Sequence, residues 1–170
     1  MVDILLPEVA DEKVALLLAV LDKATREWRK QLGEVSPDAL SWQPIPGGHS
    51  IGVVLLHMAD VEGFCLYEGV TGQARSSEEI TRLLSVETEQ YAGKWPVPPA
   101  EPLEWFYQQQ ESVRRRTLET AQTISDLSGE RALREDTFTV RWLLSHVVAH
   151  ESYHGGQAVL LHEIYKAGHR

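Results

Sequence analysis

The stretch from residue 139 to residue 168 decides the fold, and it reads TVRWLLSHVVAHESYHGGQAVLLHEIYKAG. Its apolar residues recur every three or four positions, which predicts one long amphipathic helix from about Thr139 to about Gly168. At roughly 100° per residue, Leu143 and Leu161 lie within about 20° of His150 around the helix axis. His150 therefore belongs to the stripe that must face a core, and the histidines one turn before and after it flank the same stripe.

Three further segments show the same periodicity. They are residues 14–32, closed by Gly33, residues 50 to about 69, begun by Ser50 as the N-cap, and residues 103 to about 129. Four long amphipathic helices in one chain of 170 residues predict an all-α four-helix bundle. We expect a single domain spanning residues 1–170, because the chain is too short for two comfortable cores.

The connections between these helices are extended. Residues 34–49 contain three prolines and two glycines, with one short helical turn expected after Ser36-Pro37. Residues 77–91 predict a short extra surface helix in the second crossover, and residues 93–102 form a proline-rich connector. We find no internal repeat and no alternating strand pattern longer than a few residues.

Composition narrows the class of partner. The net charge is −9, and 43% of the residues are hydrophobic, as in a globular protein. An acidic chain lacks the basic patch that nucleic acid or an anionic membrane surface requires, so we expect neither as a partner. Cys65 is the only cysteine, which excludes an internal disulfide and favours a cytoplasmic location.

Histidine spacing points to a metal. His150 and His154 are four residues apart on the core face, so their rings present two nitrogens to one point. Buried imidazoles are costly without partners, and a divalent ion satisfies them. His57, on the apolar side of the second long helix, is the best third ligand. Three neutral nitrogens would leave a fourth position open, as in catalytic metal sites.

The same segment also matches a metalloprotease pattern. His150, Glu151 and His154 fit H-E-x-x-H letter by letter. The surrounding sequence opposes a protease, because Gln157 and Leu160 stand where the longer metzincin pattern needs glycine and histidine. Glu163 points away from the pair on the same helix, so it cannot serve as a later ligand.

Two strings together resemble the DinB/YfiT-like family. They are residues 40–57, LSWQPIPGGHSIGVVLLH, and residues 146–157, HVVAHESYHGGQ. The resemblance covers nearly the whole chain and implies an up-down-down-up four-helix bundle, often a homodimer, with a three-histidine metal site. The ligand positions of the family fall on His57, His150 and His154. Family activities include thiol-dependent S-transfer, isomerisation and proposed hydrolysis.

Other residues are candidates for supporting roles. Gln157 lies on the inner face and is a candidate to orient a ligand or hold substrate. Glu151 is a candidate general base, although its position 100° from His150 predicts a flank or solvent orientation. Cys65 has apolar neighbours and is expected to be a core thiol. His146 lies one turn before His150 and is expected near the site.

These observations predict a metal-dependent enzyme that acts on a small molecule. The ion is zinc or nickel by ligand type, and it would activate either a low-molecular-weight thiol for S-transfer or water for hydrolysis. The alternative is a non-enzymatic module, either a metal-stabilised helical dimer or a binder of small ligands.

Overall fold

The computed structural model describes residues 6–9 and 11–169, and it is mainly helical. In chain order its helices are α1 (Glu12–Leu32), α2 (Pro37–Ser41), α3 (Ile51–Glu62), α4 (Gly69–Thr71), α5 (Ser77–Arg82), α6 (Leu103–Ala121) and α7 (Val140–Gly168). A π-helical turn, Gly63–Glu68, joins α3 to α4, and a 3₁₀ turn spans Gln90–Ala92. Two strands, β1 (Glu130–Leu133) and β2 (Asp136–Thr139), precede α7. The helical class expected from the sequence is confirmed.

Local side chains set the helix ends. The Ser50 hydroxyl accepts a hydrogen bond from the Val53 amide at the start of α3, and Thr139 caps α7 in the same way. Ser36 caps α2, whose first residue is a proline. Gly33 ends α1 with a φ of 64°, a left-handed value that a residue with a Cβ adopts only at a cost. The predicted caps at Ser36 and Ser50, the helix start near Thr139 and the Gly33 stop are confirmed.

Contacts between the long helices define their directions. Between α1 and α7, Thr25 contacts Glu151 and Leu32 contacts His162. Between α3 and α6, Leu55 contacts Gln110 and Glu62 contacts Arg114. Residue numbers rise together in both sets, so the helices of each pair run in the same direction. His57 faces His150, whereas Gly69 lies beside Leu143, so α3 and α7 run in opposite directions.

The core consists of two clusters of buried apolar side chains. One surrounds Trp28, Leu55, Phe106 and Ala158, and the other surrounds Leu21, Leu66, Val140 and Leu144. Both clusters combine residues of all four long helical segments, which is how a bundle removes its apolar stripes from water. No helix among the described residues is long and apolar enough to cross a lipid bilayer.

Two helices are shorter than the periodicity predicts. α5 ends at Arg82 rather than near residue 91, because Leu84 takes a φ of 56° and a bridge between Glu89 and Lys94 closes a tight loop. α6 ends at Ala121 rather than near residue 129. There the Asp126 carboxylate accepts hydrogen bonds from the backbone and hydroxyl of Ser128, and such local bonds compete with helix continuation.

A β-hairpin was not expected from the sequence. β1 and β2 pair antiparallel, with Arg131 opposite Phe138, and a two-residue turn joins them. Arg134 in that turn has a φ of 58°, the left-handed conformation that a tight hairpin turn requires. Strands of four residues are too short to show a clear alternating pattern, so the helical prediction missed this element.

Candidate metal centre

Three histidines meet between α3 and α7. The ligand-capable nitrogens of His57, His150 and His154 all lie within 4.8 Å of one another, and the Nε2 atoms of His57 and His150 are 3.1 Å apart. His57 and His154 are each only 4% exposed. The structure therefore brings together the three side chains that helical spacing selected.

Burial keeps these rings neutral. Desolvation lowers the pKa of His57 to about 4. Desolvation and, to a smaller extent, the neighbouring His57 ring lower the pKa of His154 to about 4 as well. Desolvation and the neighbouring rings His154, His57 and His146 lower the pKa of His150 to about 2. At neutral pH each ring therefore offers a lone pair, the form that binds metal ions.

Gln157 defines which nitrogen of His154 is free. His154 Nδ1 lies 2.7 Å from Gln157 Oε1, and an amide oxygen can only accept a hydrogen bond. Nδ1 therefore carries the proton and donates it, which leaves Nε2 as the lone-pair atom. Histidine ligands of metals usually donate their second nitrogen in this way.

The donor set fits a divalent ion. Two nitrogens that each lie about 2.0–2.1 Å from a tetrahedral zinc ion are about 3.3–3.4 Å apart, close to the 3.1 Å found between His57 and His150. The buried Nδ1 of His57 makes no hydrogen bond of good geometry among the described residues, and a weaker interaction of the His57 ring with the Gln90 side chain does not offset the cost of its burial. A cluster of neutral, desolvated imidazoles with so few protein partners is what a metal ion would satisfy.

Aromatic rings enclose the cluster. The buried Trp95 ring lies 5.1 Å from His57 by ring centroids and 4.0 Å from His49. Tyr153 packs edge-on against His154 at 4.6 Å. His146 stacks on Trp142 at 4.7 Å and is not one of the three converging histidines. Trp95 was hidden from sequence reasoning because it stands in the proline-rich connector, with no periodicity to indicate burial.

A cavity of about 610 Å³ begins at His57 and His146. One wall comes from the unpredicted hairpin and the start of α7, with Leu133, Arg134, Phe138 and Trp142. Ser85 and residues 88–92 also line the cavity, and so do Phe64 and Cys65 of the π-helical turn. This volume is that of a small-molecule pocket and far exceeds the space needed by an ion and one water.

An ion-pair network lies in the same cavity. The Asp60 carboxylate accepts a hydrogen bond from Arg75 Nη1 at 2.7 Å and another from the Ser85 hydroxyl. Arg75 also pairs with Glu68 at 2.9 Å. Asp60 follows His57 by three residues and so lies on the neighbouring turn of α3.

Glu151 is not where its helical position predicted. It is 4% exposed rather than at a flank or in solvent, and its carboxylate accepts hydrogen bonds from Thr25 and from Trp28 Nε1. Arg114 lies 3.9 Å away. The expectation failed because α1 and α6 cover that side of α7, so a residue 100° from His150 still lies inside the bundle. The carboxylate lines a separate cavity rather than the one at the histidines.

Cys65 is a core thiol, as expected. The side chain is buried, and burial together with the Asp60 carboxylate raises the pKa of the thiol to about 12. The sulfur therefore stays protonated at neutral pH and is a poor nucleophile.

Comparison with known proteins agrees with this architecture. Among solved structures, the chain is similar to a DinB-like protein from Bacillus cereus ATCC 10987, with a TM-score of 0.61 and 20% sequence identity over 88% of this chain and 91% of that one. That likeness bears on the fold. No curated protein matches the sequence. Residues 16–167 match the model of the Mycothiol-S-transferase family. Because this match spans most of the chain, the DinB/YfiT-like resemblance is confirmed, and the chain belongs to the mycothiol-S-transferase family.

Proposed function

We propose that this protein is a metal-dependent S-transferase that joins a low-molecular-weight thiol to an electrophilic small molecule. The observation that carries the proposal is the convergence of three neutral imidazoles, one of which, His57, also lines a cavity of about 610 Å³. The family name supports a thiol as the substrate, and mycothiol is the thiol that we propose. The overall change is RSH + R′X → RSR′ + H⁺ + X⁻.

In this proposal His57, His150 and His154 hold one zinc or nickel ion. Such an ion, when bound, lowers the pKa of a thiol or water that occupies its open position. Gln157 fixes the ring of His154 through Nδ1, so its role is to position a ligand rather than to react. The walls around His57 desolvate the reacting groups and hold the acceptor beside the sulfur.

Glu151 is not assigned the general-base role that the H-E-x-x-H pattern suggests. Its carboxylate bonds Thr25 and Trp28, and we propose that it joins α7 to α1. Hydrolysis remains the second candidate chemistry, because the same open position accepts water.

The test begins with metal content. Protein purified without chelators is expected to contain about one ion per chain by elemental mass spectrometry, and alanine variants of the three histidines are expected to lose it. His169→Ala is the matched control, because His169 is exposed and stacks on Tyr165 away from the cluster. Metal-loaded protein, a thiol and a fluorogenic haloalkyl acceptor should then form the thioether.

The outcomes separate the hypotheses. Conjugation that disappears in His57→Ala and persists in His169→Ala supports the transferase. Release of product from an ester or amide without any thiol supports the hydrolase. A bound ion without either reaction favours the non-enzymatic module, and no ion after addition of zinc and nickel contradicts the metal site. The homodimer and the cytoplasmic location stay predictions.

A further inference from the structure

The carboxylate of Asp60 is held in place as a rigid part of the cavity next to the histidines. Arg75 and Ser85 both donate to Oδ1, and Arg75 also donates to the Asp60 main-chain oxygen at 3.0 Å. Glu68 restrains Arg75 in turn, accepting from its Nε and from its backbone amide. A carboxylate that already accepts two hydrogen bonds loses little conformational entropy when it binds a further group.

The second carboxylate oxygen remains available. Among the described residues, the hydrogen bonds to the Asp60 carboxylate both end on Oδ1, and none ends on Oδ2. The side chain is 15% exposed and lines the cavity of about 610 Å³. Oδ2 is therefore the atom that can accept a hydrogen bond from a molecule in that cavity.

The other charged groups of the cavity do not compete for this role. Arg75 is matched by the two carboxylates of Asp60 and Glu68. Arg134 is exposed at the hairpin turn and lies 4.5 Å from the centre of the Phe64 ring. Glu89 pairs with Lys94 in an exposed loop, and Asp136, the other carboxylate that lines the cavity, is exposed at the start of β2. Asp60 is thus the partly buried carboxylate of this cavity, and it lies one helical turn from the proposed ligand His57.

We infer that Asp60 is a substrate-binding residue, whose Oδ2 accepts a hydrogen bond from an N–H or O–H group of the thiol substrate. The inference rests on the proposed function, because it assumes that the sulfur is directed to the three histidines. It predicts that the site favours thiols that carry a donor near the sulfur and disfavours thiols that carry a carboxylate at the same distance.

Cobalt(II)-loaded protein tests this without turnover. Thiol binding at a cobalt ion produces a sulfur-to-metal absorption band, whose titration measures affinity directly. Four thiols of similar length serve as probes: aminopropanethiol, mercaptopropanol, butanethiol and mercaptopropionate. We expect mercaptopropionate to bind wild-type protein most weakly.

The decisive variant is Asp60→Asn, with Asp38→Asn as the control, since Asp38 is exposed on α2 and its change alters net charge equally. In Asp60→Asn we expect a loss of about tenfold or more for the donor-bearing thiols and little change for butanethiol. A larger loss for the amine identifies an ammonium as the preferred donor, and a larger loss for the alcohol identifies a hydroxyl. Asp38→Asn should leave all four affinities unchanged.

Ser85→Ala keeps the inference testable if Asp60→Asn fails to fold. Ser85→Ala removes one restraint on Asp60 but retains its charge, so the donor-bearing thiols should weaken by a smaller factor. The inference would be overturned if Asp60→Asn lost affinity equally for all four thiols or lost none. It would also be overturned if wild-type protein bound mercaptopropionate more tightly than the other thiols. The absence of an absorption band with every thiol would overturn the proposed function itself.

Discussion

At the level of single side chains, one hydrogen bond within α7 selects the tautomer of the His154 imidazole. His154 donates from Nδ1 to Gln157, so its lone pair is on Nε2. The bond spans one turn of α7, and both residues therefore keep their relation whenever that helix forms. Second partners of this kind fix the orientation of a histidine ring and raise its affinity for metal.

Replacing Gln157 by Leu is therefore expected to weaken metal binding about 10–100-fold, because the His154 ring loses its only fixed tautomer. Gln157→Glu should retain most of the affinity, since a carboxylate accepts the same bond. Competition for zinc against a chromogenic chelator measures both variants. Gln109→Leu is the control, because the Gln109 amide bonds Trp105 within α6. Unchanged affinity in Gln157→Leu would contradict the positioning role.

Glu151 illustrates a different function for a buried side chain. Its carboxylate oxygen accepts from two donors on α1, Thr25 and Trp28. We expect Glu151→Leu to lower the free energy of unfolding by about 1–3 kcal/mol, since a buried indole N–H is left without an acceptor. Glu151→Gln keeps an acceptor oxygen and should lose less. Chemical denaturation gives the stabilities.

The same two variants distinguish structure from catalysis. Both are expected to retain about one ion per chain and, in Glu151→Gln, the activity of the wild type. A general base of the metalloprotease kind would instead lose activity on conversion to glutamine, whatever its stability. Loss of turnover in a stable, metal-loaded Glu151→Gln protein would restore the general-base hypothesis.

At the level of elements, α7 carries two of the three converging histidines and packs closely against α1. The consecutive glycines that follow His154 lie in different surroundings. A Cβ on Gly155 would lie 2.4 Å from Trp28 Cδ1, whereas a Cβ on Gly156 would have no atom within 4 Å. Gly155 therefore permits the close approach of α1 to α7, and Gly156 has no such packing role.

This contrast predicts opposite effects of the same substitution. Gly155→Ala should destabilise the protein by about 1–3 kcal/mol, because the rigid indole of Trp28 must move. Gly156→Ala should stabilise it by up to about 1 kcal/mol, since alanine favours the helix over glycine. Thermal or chemical denaturation compares them, and equal effects of the two substitutions would contradict the described packing.

At the level of the whole molecule, folding brings together His57 and His150, which are 93 positions apart in the chain, and buries their rings. Folding lowers the pKa values of His57, His150 and His154 to about 4, about 2 and about 4, from 6.5. Between about pH 6.5 and about pH 4 the unfolded chain therefore binds more protons than the folded one. The free energy of unfolding then falls as pH falls.

We expect metal-free protein to lose up to about 1.4 kcal/mol per pH unit for each of these histidines across that window. Denaturation of wild type and His57→Gln at several pH values isolates the contribution of one ring, because titrating carboxylates cancel in the difference. Zinc should raise the stability at neutral pH and make the loss on acidification steeper. A pH-independent difference between the two proteins would contradict the lowered pKa.

Features set by neighbours in the chain were accessible from the sequence. Contacts within one or two turns determine the Ser50 cap, the stop at Gly33, the start of α7 near Thr139 and the shared face of His150 and His154. Helical periodicity then identified the core stripes and hence the long helices. His57 was found because an apolar helix face that contains a histidine must pack against another such face.

Features that depend on distant partners required the folded chain. Glu151 is buried because Thr25, 126 positions away, lies beside it, and the Asp60 carboxylate is restrained by Ser85, 25 positions away. The hairpin that forms one wall of the cavity consists of four-residue strands, which are too short for a pattern and are stabilised by pairing with each other. Local preference specifies helices, but which side chains share a buried space follows from how those helices pack.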